Sequence, residues 1–131
     1  MLYMLERLCR HRWHDAYVQH ACQIAEYILT HTEYLSTNRS APTACRSEGL
    51  LAFVRLVDSI AASSDYSELR QRSMVAVEHN LAEQRRFRQD DGSFIRGGED
   101  KRNYEVRIDY IQHNISAFLH YYLLTTIRQD V

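Results

Sequence analysis

The sequence has few of the residues that interrupt helices. It contains one proline and four glycines in 131 residues, and three of these glycines lie between residues 90 and 103. Sandwiches and barrels need many Gly- and Pro-containing turns to connect their short strands. The composition therefore disfavours a β architecture and favours a helical chain.

Neither sign of charge is in excess, and no apolar run is long. The chain has 16 basic and 17 acidic side chains, for a formal net charge of -1. This balance argues against a polybasic surface for nucleic acid. No run approaches the roughly 18 apolar residues of a membrane span, and charges occur too early for a signal peptide. We expect a cytoplasmic protein with no nucleic-acid partner and no membrane span.

The cysteines form no recognisable motif. Cys9, Cys22 and Cys45 are odd in number and widely spaced, with no C-x-x-C pair among them, which favours a reducing compartment. Each is predicted to be a small buried hydrophobic residue. The chain also lacks the P-loop, the dinucleotide fingerprint, the zinc-protease motif and the nucleophile elbow. It therefore predicts no cofactor and no metal centre, and whether the protein is an enzyme stays open.

Apolar residues recur at helical spacing along most of the chain. Residues 12–32 and 66–87 place them on one face only, which is typical of helices that show their other side to water. Residues 43–62 and 105–128 are apolar on most sides, which predicts buried helices. The predicted elements are helices over 2–10, 12–32, 43–62, 66–87 and 105–128, with loops that include 35–41 and 90–103.

Exposed and buried helices alternate along the sequence. This order predicts a single all-α domain over residues 1–131, built from antiparallel helical hairpins with alternating outer and inner helices. A bundle of unrelated helices gives the same pattern, so that alternative stays open.

Polar residues cluster where the two buried helices begin. Arg46 and Glu48 open one of them, and Arg107, Asp109 and His113 open the other. If the two helices run the same way, these side chains converge at one end of the molecule. Asp109 and His113 are four residues apart, so they share a helix face and can pair as carboxylate and imidazole. The candidate catalytic residues are Asp109, His113 and Glu48.

Arginines and tyrosines near these residues are candidates for holding a ligand. Arginine binds anionic groups in a bidentate manner, and tyrosine offers a ring face for stacking. The structural alternative is that the helix dipoles stabilise the acids in the first turns and the arginines neutralise these acids. The histidine is then a buried residue with its hydrogen bonds made inside the fold. The candidate ligand-binding residues are Arg46, Arg107, Tyr110, Tyr121, Asp91 and Arg96.

The helix pattern resembles that of the α/α-toroid proteins, which include six-hairpin glycosidases, acylglucosamine epimerase-like proteins and terpenoid cyclases. Residues 89–94 (Gln-Asp-Asp-Gly-Ser-Phe) resemble the Q-x-x-G-x-aromatic loop of terpenoid cyclases, with Phe94 in place of the usual Trp. Residues 107–113 open an inner helix, where toroid enzymes often place site residues. A complete toroid needs many more helices, so the resemblance implies a fragment, a terminal portion or a subunit completed by association.

Two functions follow as expectations. The resemblance implies a helical-hairpin domain that binds or processes a carbohydrate-like or other polar polymer ligand at the N-terminal ends of the inner helices. The alternative is a non-catalytic interaction module that associates through its inner-helix faces. In both, an uncovered edge of inner helices predicts self-association or a partner chain that completes the helical core.

Overall fold

The described part of the chain is helical. The computed structural model describes residues 1–60 and 63–126, and within these ranges it contains no strand, only isolated bridges between single residues. None of the helices described there has both the length and the apolar character that a membrane span needs. The all-α prediction is therefore confirmed. The helices are α1 (Leu2–His11), α2 (Asp15–Thr30), α3 (Glu33–Ser36), α4 (Ser40–Asp58), α5 (Ser67–Arg85) and α6 (Ile108–Thr126), with a 3₁₀ turn at Ser63–Tyr66.

Helix α4 is the centre of the core. Its apolar residues recur on every side, and α1, α2, α5 and α6 all pack against it. Leu50, Leu51 and Phe53 are completely buried, and each such side chain stabilises the fold by about 1.5–3 kcal/mol. The predicted buried helix over 43–62 is thus confirmed as Ser40–Asp58, and residues 61–62 lie outside the described residues.

Helices α4 and α6 run in the same direction. Glu48 contacts His113, and one heptad further along both helices Arg55 contacts His120. Equal steps along the two helices mean that they are parallel and in register. Their N-terminal ends therefore lie side by side, which is the condition for the predicted convergence of polar residues.

A chain of buried side-chain hydrogen bonds ties α4, α5 and α6 together. Ser47 Oγ donates to Gln84 Oε1 at 2.9 Å, and Gln84 Nε2 donates to Asn114 Oδ1 at 3.0 Å. Asn114 Nδ2 then donates to the carbonyl oxygen of Tyr110 at 2.7 Å. Buried polar groups are costly when they lack partners, so this network favours one register of the three helices.

The segment between α5 and α6 packs across the start of α4. The Ser40 amide donates to the Arg96 carbonyl at 2.9 Å, and the Ser40 hydroxyl donates to the Ile95 carbonyl at 2.7 Å. Gly97 has a φ of 73°, and a Cβ there would lie 2.3 Å from Phe87 Cε1. Only glycine fits such a position. The predicted irregular stretch 90–103 lies outside the helices, and it is held against α4 by these contacts.

Two predictions about the elements were wrong. The predicted loop over 35–41 contains the end of α3 and the start of α4. The last helix is not buried on most sides, because Ile108 is 84% exposed and Tyr122 is 60% exposed. Among the described elements α6 packs only against α4 and α5, so its opposite side has no cover. The predicted end at residue 128 lies outside the described residues.

Candidate functional site

A carboxylate and an imidazole meet between the starts of α4 and α6. His113 Nδ1 donates to Glu48 Oε2 at 2.7 Å, and the two side chains are 35% and 25% exposed. The parallel, in-register packing of the two helices brings them together. Partial burial strengthens the contact electrostatically while leaving the pair open to solvent. This is a geometry that can hold or transfer a proton.

Asp109 does not complete this pair. The i,i+4 spacing predicts that Asp109 bonds to His113, but the imidazole nitrogen Nδ1 is bonded to Glu48 instead. Asp109 Oδ1 lies 3.1 Å from Nε of Arg107 and has no hydrogen-bond partner among the described side chains. The guanidinium two residues earlier in the chain attracts this carboxylate, so Asp109 adds charge near the pair without contacting the imidazole.

Cys45 adds a sulfur donor to the pair. Its Sγ, a carboxylate oxygen of Glu48 and a ring nitrogen of His113 lie within 4.8 Å of one another. Cys45 is exposed, so the prediction that all three cysteines are buried is wrong for this one, although Cys9 is buried. The protein packed around the thiol raises the pKa of Cys45, the charge of Glu48 raises it further, and Arg46 opposes both.

Sequence reasoning missed Cys45 because it looked for two cysteines at short spacing. The available signal was a different one: Cys45 and Glu48 are three residues apart, so they share a face of a helix. His113 lies on the neighbouring helix, and its contribution depends on the parallel packing of α4 and α6. A donor set divided between two helices is visible only after their register is known.

The predicted anion-binding arginines are engaged elsewhere. Arg46 donates to the Pro42 carbonyl at 3.3 Å, and its guanidinium lies 4.4 Å from the centre of the Tyr34 ring. Arg107 lies over the Tyr110 ring at 5.4 Å and contacts Asp109. Each cation is thus held by an aromatic face. Among the residues that the structure describes, no arginine forms a hydrogen bond with the thiol, carboxylate or imidazole of this donor cluster, although the charge of Arg46 acts on the thiol.

The two predicted tyrosines offer no open ring face beside the pair. Tyr110 is buried, and its hydroxyl donates to Glu105 at 3.3 Å. Tyr121 lies eight residues beyond His113, about 12 Å along the helix, and donates to Glu78 at 3.0 Å. Both side chains serve contacts within the fold.

Asp91 and Arg96 stabilise the loop before α6. Asp91 accepts a hydrogen bond from the Ser93 amide at 2.9 Å, and hydrogen bonds from the side chain and then the backbone of Ser93 lower the pKa of Asp91. Arg96 is buried, and its guanidinium pairs with the Asp100 carboxylate. These residues shape the loop that covers the start of α4, and neither is brought to the Glu48–His113 pair by a contact in the structure.

A second polar cluster lines a cavity of about 360 Å³ between α1, α4 and α6. Arg55 forms two hydrogen bonds with Glu6, which is only 2% exposed, and donates to His120 Nδ1 at 2.9 Å. Arginine has no acceptor, so His120 Nδ1 must be unprotonated in this contact. Burial, and then the charge of Arg55, lower the pKa of His120. The Arg55 side chain on α4 therefore links Glu6 on α1 to His120 on α6.

Comparison of the chain with protein-family models, with curated proteins and with solved structures finds no match. The toroid resemblance therefore rests on the sequence pattern, and function has to be inferred from the surface and the site.

Proposed function

We propose that this chain is an interaction module that pairs with a second copy of itself through the outer face of α6. The observation that supports this is a stripe of large apolar side chains along the uncovered side of the helix. Ile108, Ile115, Leu119 and Tyr122 are 84%, 50%, 51% and 60% exposed, and Ile111 is partly exposed. Contiguous apolar patches of this kind are uncommon on monomers and mark interaction sites.

The spacing of the stripe favours a second copy as the partner. Its members follow one another at steps of three, four, four and three residues, so the stripe reads the same in both directions about Ile115. In an antiparallel pair centred on Ile115, Ile108 would face Tyr122 and Ile111 would face Leu119. Two-fold dimers need such a self-complementary surface, and the mean step of 3.5 residues is that of a coiled-coil seam.

Charge also permits this pairing. Between residues 108 and 126 only Asp109 carries a formal charge apart from the histidines, and the stripe itself is uncharged. Two copies can therefore approach without repulsion across the face. One helix from each copy buries less than the roughly 800 Å² per partner of a standard interface, so we expect a reversible dimer.

The α/α-toroid resemblance supports the same surface. In an arrangement of alternating outer and inner helices, α4 and α6 would be neighbouring inner helices, and no described helix packs on the far side of α6. Its far side would then be an open edge that a further helix covers. The finer proposal is thus a hairpin domain whose inner-helix edge is closed by its own copy.

Substitution at the centre of the stripe tests the proposal. In Ile115→Glu the two central side chains become like charges facing each other across the axis, so the dimer should dissociate at concentrations where the wild type associates. Sedimentation over a range of concentrations measures this. Val75→Glu is the matched control, because Val75 is 55% exposed on α5, and this variant should associate like the wild type.

Mixing charge variants locates the axis. Ile115→Glu and Ile115→Lys should each be monomeric alone and should form a mixed dimer together, because opposite charges then meet. A wild type that stays monomeric at high concentration would contradict the proposal and would leave a different protein as the partner. Association of Ile115→Glu equal to that of the wild type would contradict it as well.

A second candidate function is supported by the Glu48–His113 contact. It is the binding or processing of a carbohydrate-like or other polar polymer ligand at the N-terminal ends of α4 and α6, with His113 as the proton-transferring group and Glu48 as its partner. Titration of neutral and acidic oligosaccharides, followed by the His113 ring resonances in NMR, tests it. Unchanged resonances throughout the series would reject it.

A further inference from the structure

We propose that Cys45, Glu48 and His113 form a binding site for a divalent transition metal of the Zn²⁺ type. The three donor atoms lie within 4.8 Å of one another and come from two packed helices. This inference is independent of self-association, because His113 and Ile115 are two residues apart and so project from nearly opposite sides of α6.

The geometry suits a small cation with one open position. Zinc ligands lie about 2.0–2.3 Å from the metal, so donors in a tetrahedral site are roughly 3.3–3.8 Å apart. Side-chain rotation can draw atoms that lie within 4.8 Å of one another to these separations. Cys45 and Glu48 share a face of α4, and His113 approaches from α6. Three protein ligands leave the fourth position for water, the pattern of reactive rather than purely structural zinc sites.

Two carboxylates next to the thiol favour a cation, and the charge of Arg46 partly opposes them. Glu48 is one ligand, and Asp109 is close enough to Cys45 for its charge to act on the thiol. The two neighbouring arginines are held over tyrosine rings, with Arg46 at 4.4 Å from the Tyr34 ring centre and Arg107 at 5.4 Å from that of Tyr110. A bound divalent ion would be balanced by the thiolate and the Glu48 carboxylate, with Asp109 adding a further negative charge.

The donor types select the metal. Magnesium and calcium take oxygen ligands, whereas a sulfur, a nitrogen and an oxygen together suit zinc or a related transition metal. On binding, the Cys45 thiol gives up its proton to solvent and the sulfur coordinates as the thiolate, because the thiolate is the ligating form. The proton on His113 Nδ1 would also pass to solvent and the ring proton would be carried on Nε2, which would free Nδ1 and the Glu48 carboxylate to coordinate the metal.

Cobalt titration of the full chain tests the site, since Co²⁺ takes the place of Zn²⁺ and its spectrum reports its ligands. Wild-type protein, stripped of metal with a chelator, should bind one Co²⁺ with a thiolate-to-cobalt charge-transfer band. Cys45→Ser should lose this band and should bind Co²⁺ at least about tenfold more weakly. Glu48→Gln should weaken Co²⁺ binding by a similar factor. Cys22→Ser is the matched control, because Cys22 lies half-buried on α2, and it should behave like the wild type.

Zinc and magnesium complete the experiment. Zn²⁺ should displace Co²⁺ at a ratio of one to one, and a large excess of Mg²⁺ should not. Circular dichroism should show that each variant is folded before it is titrated. Three results would each overturn the proposal. They are no binding of Co²⁺ by the folded wild type, binding without the charge-transfer band, and an affinity of Cys45→Ser for Co²⁺ equal to that of the wild type. Sedimentation of the same samples reports separately on self-association.

Discussion

Helices α4 and α6 have the same length and a similar apolar content, yet they occupy different environments. Each has 19 residues, and each is predicted from its sequence to be buried on most sides. Five helices pack against α4, whereas α6 is packed against α4 and α5 and leaves Leu119 51% exposed. Apolar composition thus predicts that a face is to be covered, but it does not reveal whether the cover comes from the same chain.

The inward side of α6 differs from that of α4 as well. Where α4 buries leucine, phenylalanine and valine, α6 directs Asn114 and His113 inward, and both are hydrogen-bonded to neighbouring helices. Its isoleucines lie mainly on the outward side, with Ile115 50% exposed. Ala117, Phe118 and Leu124 pack against the core, so α6 is apolar on both sides, whereas an ordinary surface helix has its apolar stripe only toward the core. An outward apolar face on an anchored helix is the basis of the dimer proposal.

The largest contrast between the two helices should be in stability. Phe53→Ala on α4 should lower the free energy of unfolding by about 3–5 kcal/mol, because it leaves a cavity in a closed core. Leu119→Ala on α6 should change it by less than about 0.5 kcal/mol in the monomer, since that side chain is half exposed. Urea denaturation at low protein concentration measures both. Similar losses for the two variants would show that α6 is covered within the monomer.

A smaller loss should come from the buried network that anchors α6. Gln84→Met keeps the side-chain volume but leaves Asn114 Oδ1 without its donor, whereas the Ser47 hydroxyl keeps the Thr43 carbonyl oxygen as an acceptor at 3.0 Å. Each unsatisfied buried group costs about 1–3 kcal/mol, so the free energy of unfolding should fall by an amount in that range. Gln71→Met, on the exposed side of α5, is the control and should be nearly neutral. A neutral Gln84→Met would show that the network does not hold α6 in place.

The fold was predictable to the extent that it depends on local pattern. Helix positions follow from the spacing of apolar residues, and the buried character of α4 follows from leucine, phenylalanine and valine on all of its sides. The short α3 was missed because four residues at Glu33–Ser36 provide no periodicity to detect. The exposure of α6 was missed because it depends on which elements are present to pack on it.

The site was predictable only in its location. The parallel packing of α4 and α6 brings Glu48 and His113 together, at the end of the molecule where the sequence predicts a convergence of polar residues. The partner of His113 could not be predicted, because local i,i+4 spacing favours Asp109 whereas the register between helices favours Glu48. The average behaviour of free cysteines predicts a buried Cys45, whereas its position on α4 is exposed.

The second contact between α4 and α6 differs from the Glu48–His113 pair in the charge of its partner. His120 receives a hydrogen bond from Arg55, a permanent cation, whereas His113 donates to a carboxylate. Burial first, and then the charge of Arg55, lower the pKa of His120, while Glu48 on α4 and Glu6 on α1 oppose the shift. The lowered pKa of His120 makes the Arg55–His120 contact sensitive to acid.

Acid should weaken the fold through His120. Because its folded-state pKa is lowered from the ordinary 6.5, the unfolded chain binds more protons than the folded chain between that lowered value and 6.5. This contribution to stability is complete above about pH 6.5 and is lost as the pH falls through the folded-state pKa, because protonation ends the acceptor role of Nδ1 toward Arg55.

His120→Gln should flatten the dependence of the free energy of unfolding on pH in this window. The effect should be smaller than that of Gln84→Met, since the side chain is partly exposed and solvent screens its charge. His79→Gln on the exposed side of α5 should keep the wild-type profile. Urea denaturation at a series of pH values decides it, and a His120→Gln profile as steep as the wild type would show that another group carries the acid sensitivity of the α1–α4–α6 contact.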